Sequence, residues 1–409
     1  MSRRALRTGA GIAAGQVAGW LSRVTGRGQG ATISGRVINA LAPEALAQLA
    51  QGQRVALVSA TNGKTTTTRF LAAAVARTGE PVVSNATGAN LTSGIAPILA
   101  KADSPGLAVL EVDERVLPRV VDPLGVELVV LGNLSRDQLD RYGEVHAVGD
   151  MWRHTADTHP DLRVVANASD PHVVWAAAPA KTTWVDLGLG WRNDAATCPN
   201  CAALLQWSAD RFDCPSCGFG QPATPNRLEG DTLVLDGTRV PLRLALPGRW
   251  NLANAALAVT AAATHYGVDP GDAADAAATI TTVAGRYMTV SLPDGRRARV
   301  LLAKNPAGWS EVLHYLSERD GTVVIAVNAR VADGKDPSWL WDVPYELLQG
   351  QRVAAVGERA LDVSVRLKYA DVDHIVARDP LEAAANLPGD EVDIVASYTQ
   401  FSALYRSYG

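Results

Sequence analysis

A glycine, a lysine and two threonines follow an apolar segment, and this spacing is suited to binding phosphate. The segment reads VALVSATNGKTT over residues 55–66. A strand that feeds such a turn into a helix directs backbone N–H groups and the positive helix end at an anion. Lys64 could then pair with β- and γ-phosphates, and the Thr65 hydroxyl could join a Mg²⁺ shell. The other nucleotide-binding positions predicted on this loop are Thr61, Asn62, Gly63 and Thr66.

The loop departs from the usual phosphate-binding template, G-x-x-x-x-G-K-[ST]. The first glycine of the template would fall at Val58. A glycine turn that only caps a helix is therefore the alternative interpretation of this segment.

Acidic residues end the next strongly apolar segment, LAVLEVDE over residues 107–114. The carboxyl ends of parallel strands face one crevice, so Glu111 is expected to reach the Mg²⁺ of the phosphate loop. A merely solvated strand end is the alternative, and it suits Glu114 better than Glu111. Two further polar loops follow apolar segments at residues 85–94 and 133–144.

All four cysteines lie in two C-P-x-C pairs separated by twelve residues. The residues are Cys198, Cys201, Cys214 and Cys217. Two such knuckles complete a tetrahedral S₄ site, which suits a structural zinc ion because no coordination position stays open. Two disulfides are the alternative. If zinc takes all four thiolates, no cysteine is left to act as a nucleophile.

Length and charge limit the function classes. The chain has 409 residues, enough for two or three domains, and its net charge of −4 gives no reason to expect nucleic acid as a partner.

The first 43 residues contain six Arg and no Asp or Glu. We interpret this segment as a basic amphipathic helix, not an export signal, and it could be solvated or could touch an anionic membrane surface.

Hydrophobic patterns alternate between strand and helix along most of the chain. Helices are predicted at residues 3–24, 43–51, 64–78, 92–100 and 251–266, with strands at 55–59, 81–84, 107–112, 127–131, 298–302, 322–327, 352–356 and 392–396. Such alternation predicts an α/β fold with a mainly parallel sheet and helices on both faces, plus a smaller C-terminal α/β domain. The predicted divisions are 1–42 (a helical extension), 43–285 (an ATP-binding domain with a zinc ribbon inserted at 194–222) and 286–409.

Together these motifs resemble the Mur ligase family. The family's central ATPase domain carries T-N-G-K-T, a strand ending in Glu, a polar N-x-x-x-D motif and G-x-x-N-x-x-N, which here is GRWNLAN over residues 248–254. The resemblance implies that Asn251 and Asn254 lie in the adenine region, and that Arg286 and Lys304 approach the phosphates from the second domain. Ala60 replaces the first glycine of the family's G-T-N-G-K-T, which raises the question of backbone strain at that position.

The resemblance is greatest to the MurT branch of that family. The inserted cysteine ribbon, Asp137-Gln138 in place of Asp-His, and the segment ADGKDPSWLWD over residues 332–342 are similar to that branch. This resemblance implies ATP-dependent phosphorylation of the α-carboxylate of D-Glu in the lipid II stem peptide, followed by attack of ammonia to give D-isoglutamine. The ammonia would come from a GatD-type glutamine amidotransferase partner. The expected location of the chain is the cytoplasm, or the inner face of the membrane.

Asp336 has two interpretations. From the residues alone, Asp336-Pro337 is typical of an N-cap followed by proline at the first position of an amphipathic helix. The resemblance implies instead that Asp336 completes the Cys-His pair of the glutaminase, since a catalytic His is oriented by a carboxylate.

Two other functions stay open at the level of sequence. The chain could be an amino-acid-adding ligase of the Mur or folylpolyglutamate type, or a scaffold that only recruits a glutaminase. The first would call for the usual Asp-His motif and a carbamylated lysine. Gln138 stands in place of that His, and no Lys occurs between Lys101 and Lys181. These departures also put a second metal site in doubt.

Overall fold

Two six-stranded sheets form the framework of the chain. The structure, a computed structural model, describes residues 3–24, 31–42, 44–85, 90–102, 105–137, 144–188, 190–209, 211–283, 286–292, 294–389 and 391–408. The chain divides into two compact units, Met1–Leu134 with Val145–Ile280, and Ser135–Glu144 with Thr281–Gly409. The predicted boundary residue Gly285 and the motif residue Gln138 lie outside the described residues.

The sheet of the first unit is parallel throughout, in the order β2-β3-β1-β4-β5-β6. Its strands are β1 (Gln53–Ser59), β2 (Val82–Ser84), β3 (Gly106–Glu111), β4 (Val126–Leu131), β5 (Arg163–Asn167) and β6 (Lys181–Val185). The central strands read as unbroken apolar segments because both faces of a parallel sheet are covered. Val58 of β1 pairs with Glu111, and Ser59 pairs with Leu131. The carboxyl ends of β1, β3 and β4 are therefore level at one edge of the sheet.

Ten α-helices are described in the first unit. They are α1 (Arg3–Val24), α2 (Ala31–Leu41), α3 (Ala45–Leu49), α4 (Lys64–Val75), α5 (Thr92–Leu99), α6 (Leu117–Leu124), α7 (Val145–Thr158), α8 (Pro171–Ala177), α9 (Arg249–Tyr266) and α10 (Pro270–Ala278). A hairpin of β7 (Gln206–Ser208) and β8 (Arg211–Asp213) and a three-stranded antiparallel sheet of β9 (Arg227–Glu229), β10 (Thr232–Leu235) and β11 (Thr238–Pro241) complete it. None of the helices in the described ranges is long and apolar enough to span a bilayer.

Helix α2 was not predicted from the sequence. The segment contains Ser34 and Gly35, which are weak helix formers, so its own propensity gave little signal. Packing decides the outcome, because α2 lies so close to α5 that a Cβ on Gly35 would be 1.7 Å from the carbonyl oxygen of Ser93. Only a residue without a side chain allows this approach.

The second unit has a mixed sheet in the order β12-β13-β17-β14-β15-β16. Its elements are β12 (Tyr287–Ser291), β13 (Arg297–Leu302), α11 (Pro306–Ser317), β14 (Thr322–Ala326), β15 (Arg352–Val356), α12 (Ala360–Tyr369), β16 (His374–Val376), α13 (Pro380–Asn386), β17 (Val392–Ala396) and α14 (Tyr398–Tyr408). Strands β12 and β13 are antiparallel, and the remaining pairs are parallel. The predicted parallel sheet with a separate, smaller C-terminal α/β unit is confirmed.

The prediction of an amphipathic helix after Asp336-Pro337 is wrong. The chain forms a short 3₁₀ helix, Ser338–Asp342, and then extends at Val343, where φ is −78° and ψ is 129°. Pro344 follows Val343, and the residue before a proline is driven out of the helical region. An α-helix starting at this Asp-Pro pair therefore has no room to develop.

Candidate active site

The phosphate-loop segment is braced by Asn133, the second residue after β4. The Thr61 N–H donates to the Asn133 carbonyl oxygen at 2.8 Å. The Asn133 side chain accepts from the Asn62 N–H at 2.9 Å and donates to the Asn62 carbonyl oxygen at 2.9 Å. Three bonds from one residue thus fix the backbone that precedes the predicted phosphate ligands.

Ala60 occupies its position without a positive φ, which answers the question raised by the missing glycine. Gly132 accommodates the added methyl group, because a Cβ at Gly132 would lie only 2.8 Å from the Ala60 Cβ. The position that does need glycine is Gly63, whose φ is 86°. A Cβ there would also lie 2.3 Å from the Asn254 side-chain oxygen.

Lys64 is a buried cation surrounded by acceptors. Its Nζ donates to the Ala60 carbonyl oxygen at 2.5 Å, to the Thr61 carbonyl oxygen at 3.3 Å and to the Glu114 carboxylate at 2.9 Å. Burial by itself lowers the pKa of Lys64, but the charges of Glu114, Glu111 and Asp113 outweigh it and raise that pKa above its usual value. The ammonium is therefore charged at neutral pH.

Glu114 was expected to suit a solvated position better than Glu111, and the structure corrects this. Its carboxylate forms a partly buried ion pair with Lys64 at 2.9 Å. Its carbonyl oxygen accepts from the Trp152 indole N–H at 2.8 Å, which holds the turn after β3 in place. The first turn after β3 therefore contributes a charge to the phosphate loop.

Two buried oxygen atoms beside Lys64 have no hydrogen-bond partner, and both belong to the predicted Mg²⁺ ligands. They are Oγ1 of Thr65 and Oε2 of Glu111. Leaving a buried carboxylate oxygen unpaired is costly, whereas hydroxyl and carboxylate oxygens are the ligands that Mg²⁺ prefers. The residues present therefore fit a divalent cation at this place.

Glu111 is held from the loop that follows β2. The Asn85 side chain accepts from the Glu111 N–H at 2.7 Å and donates to the Glu111 carbonyl oxygen at 2.8 Å. The Asn90 amide donates to Oε1 of Glu111 at 3.4 Å. Sequence reasoning gave Asn85, Asn90 and Asn133 no individual roles. The available signal was their position directly after apolar strands at the carboxyl edge of the sheet.

The two asparagines of α9 lie at different places. Asn254 lies against Gly63 of the phosphate loop, as its close approach to that glycine shows. Asn251 is buried and donates to the Pro247 carbonyl oxygen at 2.6 Å, in the turn that starts the helix. Their predicted contact with an adenine ring stays a prediction.

Three predicted residues belong to the second unit. Lys304 forms an ion pair with Asp137, whose other carboxylate oxygen is buried and has no partner. Arg286 accepts at its carbonyl oxygen from the Leu302 N–H at 3.0 Å. Asp336 is exposed and accepts from both the N–H and the hydroxyl of Ser338, each at 2.9 Å. These two bonds lower the pKa of Asp336, so its carboxylate is ionised at neutral pH.

The second unit also contains a cleft of about 830 Å³ at the carboxyl ends of β14, β15 and β17. Asn328 is central to its wall: its side chain donates to the Thr399 hydroxyl at 2.9 Å and accepts from the Gln400 amide at 3.0 Å. The Thr399 hydroxyl in turn donates to Asp333 at 2.6 Å. Asp333 is thus the buried acid of the segment at residues 332–342, whereas Asp336 and Asp342 are exposed.

The four cysteine sulfurs converge on one point, with all Sγ atoms within 4.8 Å of one another. Cys198 and Cys217 are 3.7 Å apart at their sulfurs, and Cys201 and Cys214 are 3.5 Å apart. A disulfide needs about 2.05 Å, so the alternative of two disulfides is wrong. Sulfurs about 2.3 Å from one zinc ion would be spaced by about 3.8 Å, so the cluster is compatible with zinc.

Comparison with known proteins decides the family. Residues 58–262 match the Mur ligase middle domain, and residues 302–401 match the MurT ligase C-terminal domain. The chain is 30% identical over 395 residues to the lipid II isoglutaminyl synthase (glutamine-hydrolyzing) subunit MurT of Staphylococcus aureus strain N315, covering 89% of each chain. The chain belongs to the MurT branch of the Mur ligase family.

Other relatives agree with this placement. The MurT subunit of Streptococcus pneumoniae is 28% identical, with 89% of this chain and 87% of that chain covered. Among solved structures, a pseudomurein peptide ligase type C from Methanothermus fervidus has a TM-score of 0.69 at 17% identity, covering 91% of this chain and 83% of that chain. Mycobacterium tuberculosis folylpolyglutamate synthase complexed with ADP has a TM-score of 0.60 at 16% identity, covering 89% and 92%. These two likenesses show a shared Mur ligase fold.

The packing of Ala60 against Gly132 gives a double-mutant test. Gly132→Ala is expected to destabilise the first unit by about 1–3 kcal/mol, because two methyl groups on rigid backbone would overlap. Ala60→Gly in the same chain should restore most of the loss, since it removes the other methyl group. Thermal unfolding midpoints of the single and double variants measure this. Equal destabilisation of Gly132→Ala with and without Ala60→Gly would contradict the packing argument.

Proposed function

We propose that this chain is the ATP-dependent synthetase subunit that amidates the α-carboxylate of D-glutamate in the lipid II stem peptide. ATP supplies the phosphoryl group: a carboxylate oxygen takes the γ-phosphoryl, ADP leaves, ammonia attacks the acyl carbon and phosphate departs. The observation that carries the proposal is the pair of unpartnered oxygens on Thr65 and Glu111 beside the charged Lys64. The S. aureus and S. pneumoniae relatives are named for this synthase activity.

The residues of the first unit would act electrostatically. Thr65 and Glu111 would hold Mg²⁺ through oxygen ligands, and Lys64 would offset the negative charge of the transferring phosphoryl group. Such positioned charges in a water-poor site can supply a large part of a rate enhancement. Asn133 and Asn85 would act only by holding the loop and Glu111 in place. No nucleophilic side chain is needed.

The second unit would contribute the connection to a glutaminase. The relatives are named as a subunit of a glutamine-hydrolyzing enzyme, so a partner subunit is implied. Asp336 is exposed, ionised and oriented by Ser338, which suits a carboxylate that orients a histidine on a GatD-type partner. Arg286 and Lys304 are proposed to approach the phosphates during turnover.

The cysteine cluster is proposed to hold one structural zinc ion. Its four thiolates leave no open coordination position. N–H groups support the sulfurs: the Asn200 backbone and side chain donate to Cys198 and Cys217, each at 3.4 Å. The β7–β8 hairpin and the ring contact of Trp207 with Phe212, at 5.5 Å between centroids, complete the ribbon.

Replacing Lys64 tests the synthetase activity. Lys64→Ala should lower ammonium-driven amidation of a lipid II analogue by about 100-fold or more, because a charge aimed at the transferring phosphoryl group is removed. Lys181→Ala is the matched control, since Lys181 pairs with Asp161 at the surface. The assay follows ADP release and amidated product together.

Thr65→Val is a more specific test of the proposed metal ligand, because it removes only the hydroxyl while keeping the shape of the side chain. Its activity should require a higher Mg²⁺ concentration. Undiminished amidation by Lys64→Ala would refute the proposed role of Lys64, whereas no amidation by the wild-type chain would favour a scaffold. Product formed with an added amino acid but not with ammonium would favour an amino-acid-adding ligase.

Asp336→Asn separates the two half-reactions. In the complex with the glutaminase subunit, glutamine-driven amidation should be lost while ammonium-driven amidation stays within about twofold of wild type, since the acid is assigned to glutamine hydrolysis alone. Asp362→Asn is the control, because Asp362 is an exposed acid of the same unit that pairs with Arg359. Equal loss of both reactions in Asp336→Asn would refute the assignment.

Cys201→Ser should remove most of the bound zinc, because a tetrahedral site loses one of its four thiolates. Ser216→Ala changes the non-ligand residue of the second knuckle and should keep the metal. Elemental analysis of the purified chain gives the stoichiometry, expected at one zinc per wild-type chain. Wild-type protein without metal and with oxidised thiols would overturn the zinc assignment.

A further inference from the structure

Helix α1 packs on the protein through small residues. Its buried positions are Thr8, Gly11, Gly15, Gly19 and Ser22. A Cβ on Gly15 would lie 2.6 Å from Cγ1 of Ile38 and 2.8 Å from the Ser34 carbonyl oxygen, so α1 lies in close contact with α2. Helix α2 is attached in turn to α5 at Gly35. The side of α1 that faces the protein therefore has almost no bulky apolar side chains.

The bulky apolar residues of α1 face away from that contact. Val17 is 58% exposed, Trp20 56%, Leu21 49% and Val24 65%. Their spacing of i, i+3, i+4 and i+7 places them on one side of the helix, opposite the buried small residues. Surface helices normally bury their apolar stripe, so this helix has the reverse arrangement. Contiguous exposed apolar residues of this kind mark a binding surface.

The charge of the segment is matched to an anionic surface. The first 43 residues contain six Arg and no acidic residue, although the whole chain has a net charge of −4. Arg3, Arg4 and Arg7 fall in the first two turns of α1 itself. Basic residues near an anionic leaflet are attracted to it, and a helix with an apolar stripe can lie along the interface. No described helix can span a bilayer, so α1 would lie on the membrane and not cross it.

We propose that α1 is an interfacial helix, which inserts Val17, Trp20, Leu21 and Val24 into an anionic lipid bilayer. The proposal rests on the proposed function, because a substrate carried on a lipid must be met at the membrane surface. The contact of α1 with α2 leaves the apolar stripe outward, so docking needs no rearrangement of the first unit. The result is a synthetase held at the surface where its substrate lies.

Vesicle sedimentation with the full chain tests the proposal. Wild type should bind vesicles containing phosphatidylglycerol and bind phosphatidylcholine vesicles weakly. The triple variant Val17→Ser, Trp20→Ser, Leu21→Ser should bind the anionic vesicles about tenfold more weakly or worse. Val365→Ser is the matched control, because Val365 on α12 is 49% exposed, as Leu21 is. Unchanged thermal unfolding of the triple variant shows that its fold is intact.

A second variant separates the contribution of charge to vesicle binding from that of apolar insertion. It carries Arg3→Gln, Arg4→Gln and Arg7→Gln. It should lose affinity for anionic vesicles while its weak binding to phosphatidylcholine stays the same. Three results would overturn the proposal. They are no vesicle binding by wild type, full vesicle binding by the triple serine variant, or a loss of vesicle binding in Val365→Ser equal to that in the triple variant. Loss of glutaminase binding in the serine variant without vesicle binding by wild type would identify the stripe as a protein interface instead.

These outcomes are distinct from those that test the proposed function. Vesicle binding needs no turnover, so it can succeed even if the chain does not amidate lipid II. Conversely, amidation of a water-soluble lipid II analogue should be the same in wild type and the triple serine variant. If amidation occurs but the serine variant binds vesicles normally, the interfacial helix is wrong and the enzyme assignment stands.

Discussion

The buried ammonium group of Lys64 requires carboxylates beside it, and this requirement constrains the structure of the first unit. Lys64 is taken out of water, which by itself disfavours its charged form, and Glu111, Asp113 and Glu114 restore that charge. The three acids come from the end of β3, and β3 lies beside β1 in a fixed register. The cation and its carboxylates can meet only if that register holds. The candidate site therefore forms only when the sheet is correctly paired.

The same edge of the sheet supplies the supports. Asn133 follows β4 and holds the backbone of the phosphate loop, while Asn85 follows β2 and holds the backbone of Glu111. Each is an amide that donates and accepts, so a single side chain satisfies both the backbone N–H and the carbonyl oxygen of the residue that it faces. The unpaired buried oxygens include Oγ1 of Thr65 and Oε2 of Glu111, which are suited to a cation.

Much of this arrangement could be predicted from the sequence, and the misses have identifiable causes. The eight predicted strands lie within about two residues of observed strands, because such strands are continuous apolar segments bounded by loops, whereas β5, β6, β12 and β16 were not predicted. Helix α2 was missed because its stability comes from contact at Gly35 and not from its own residues. The prediction of a helix after Asp336 was wrong because a proline eight residues later limited the segment to a 3₁₀ turn. Glu114 was undervalued because its partner is fifty residues away along the chain.

The sequence alone determined the chemistry that is available. Four cysteines in two knuckles, a Gly-Lys-Thr turn and an acid at a strand end are local patterns, and their chemistry follows from residue type and spacing. Only the tertiary structure decided which groups meet: that Glu114 pairs with Lys64, that Gly132 leaves room for Ala60, and that α1 directs its apolar side outward. These are contacts between distant segments, and they depend on sheet register and helix packing, which no local pattern encodes.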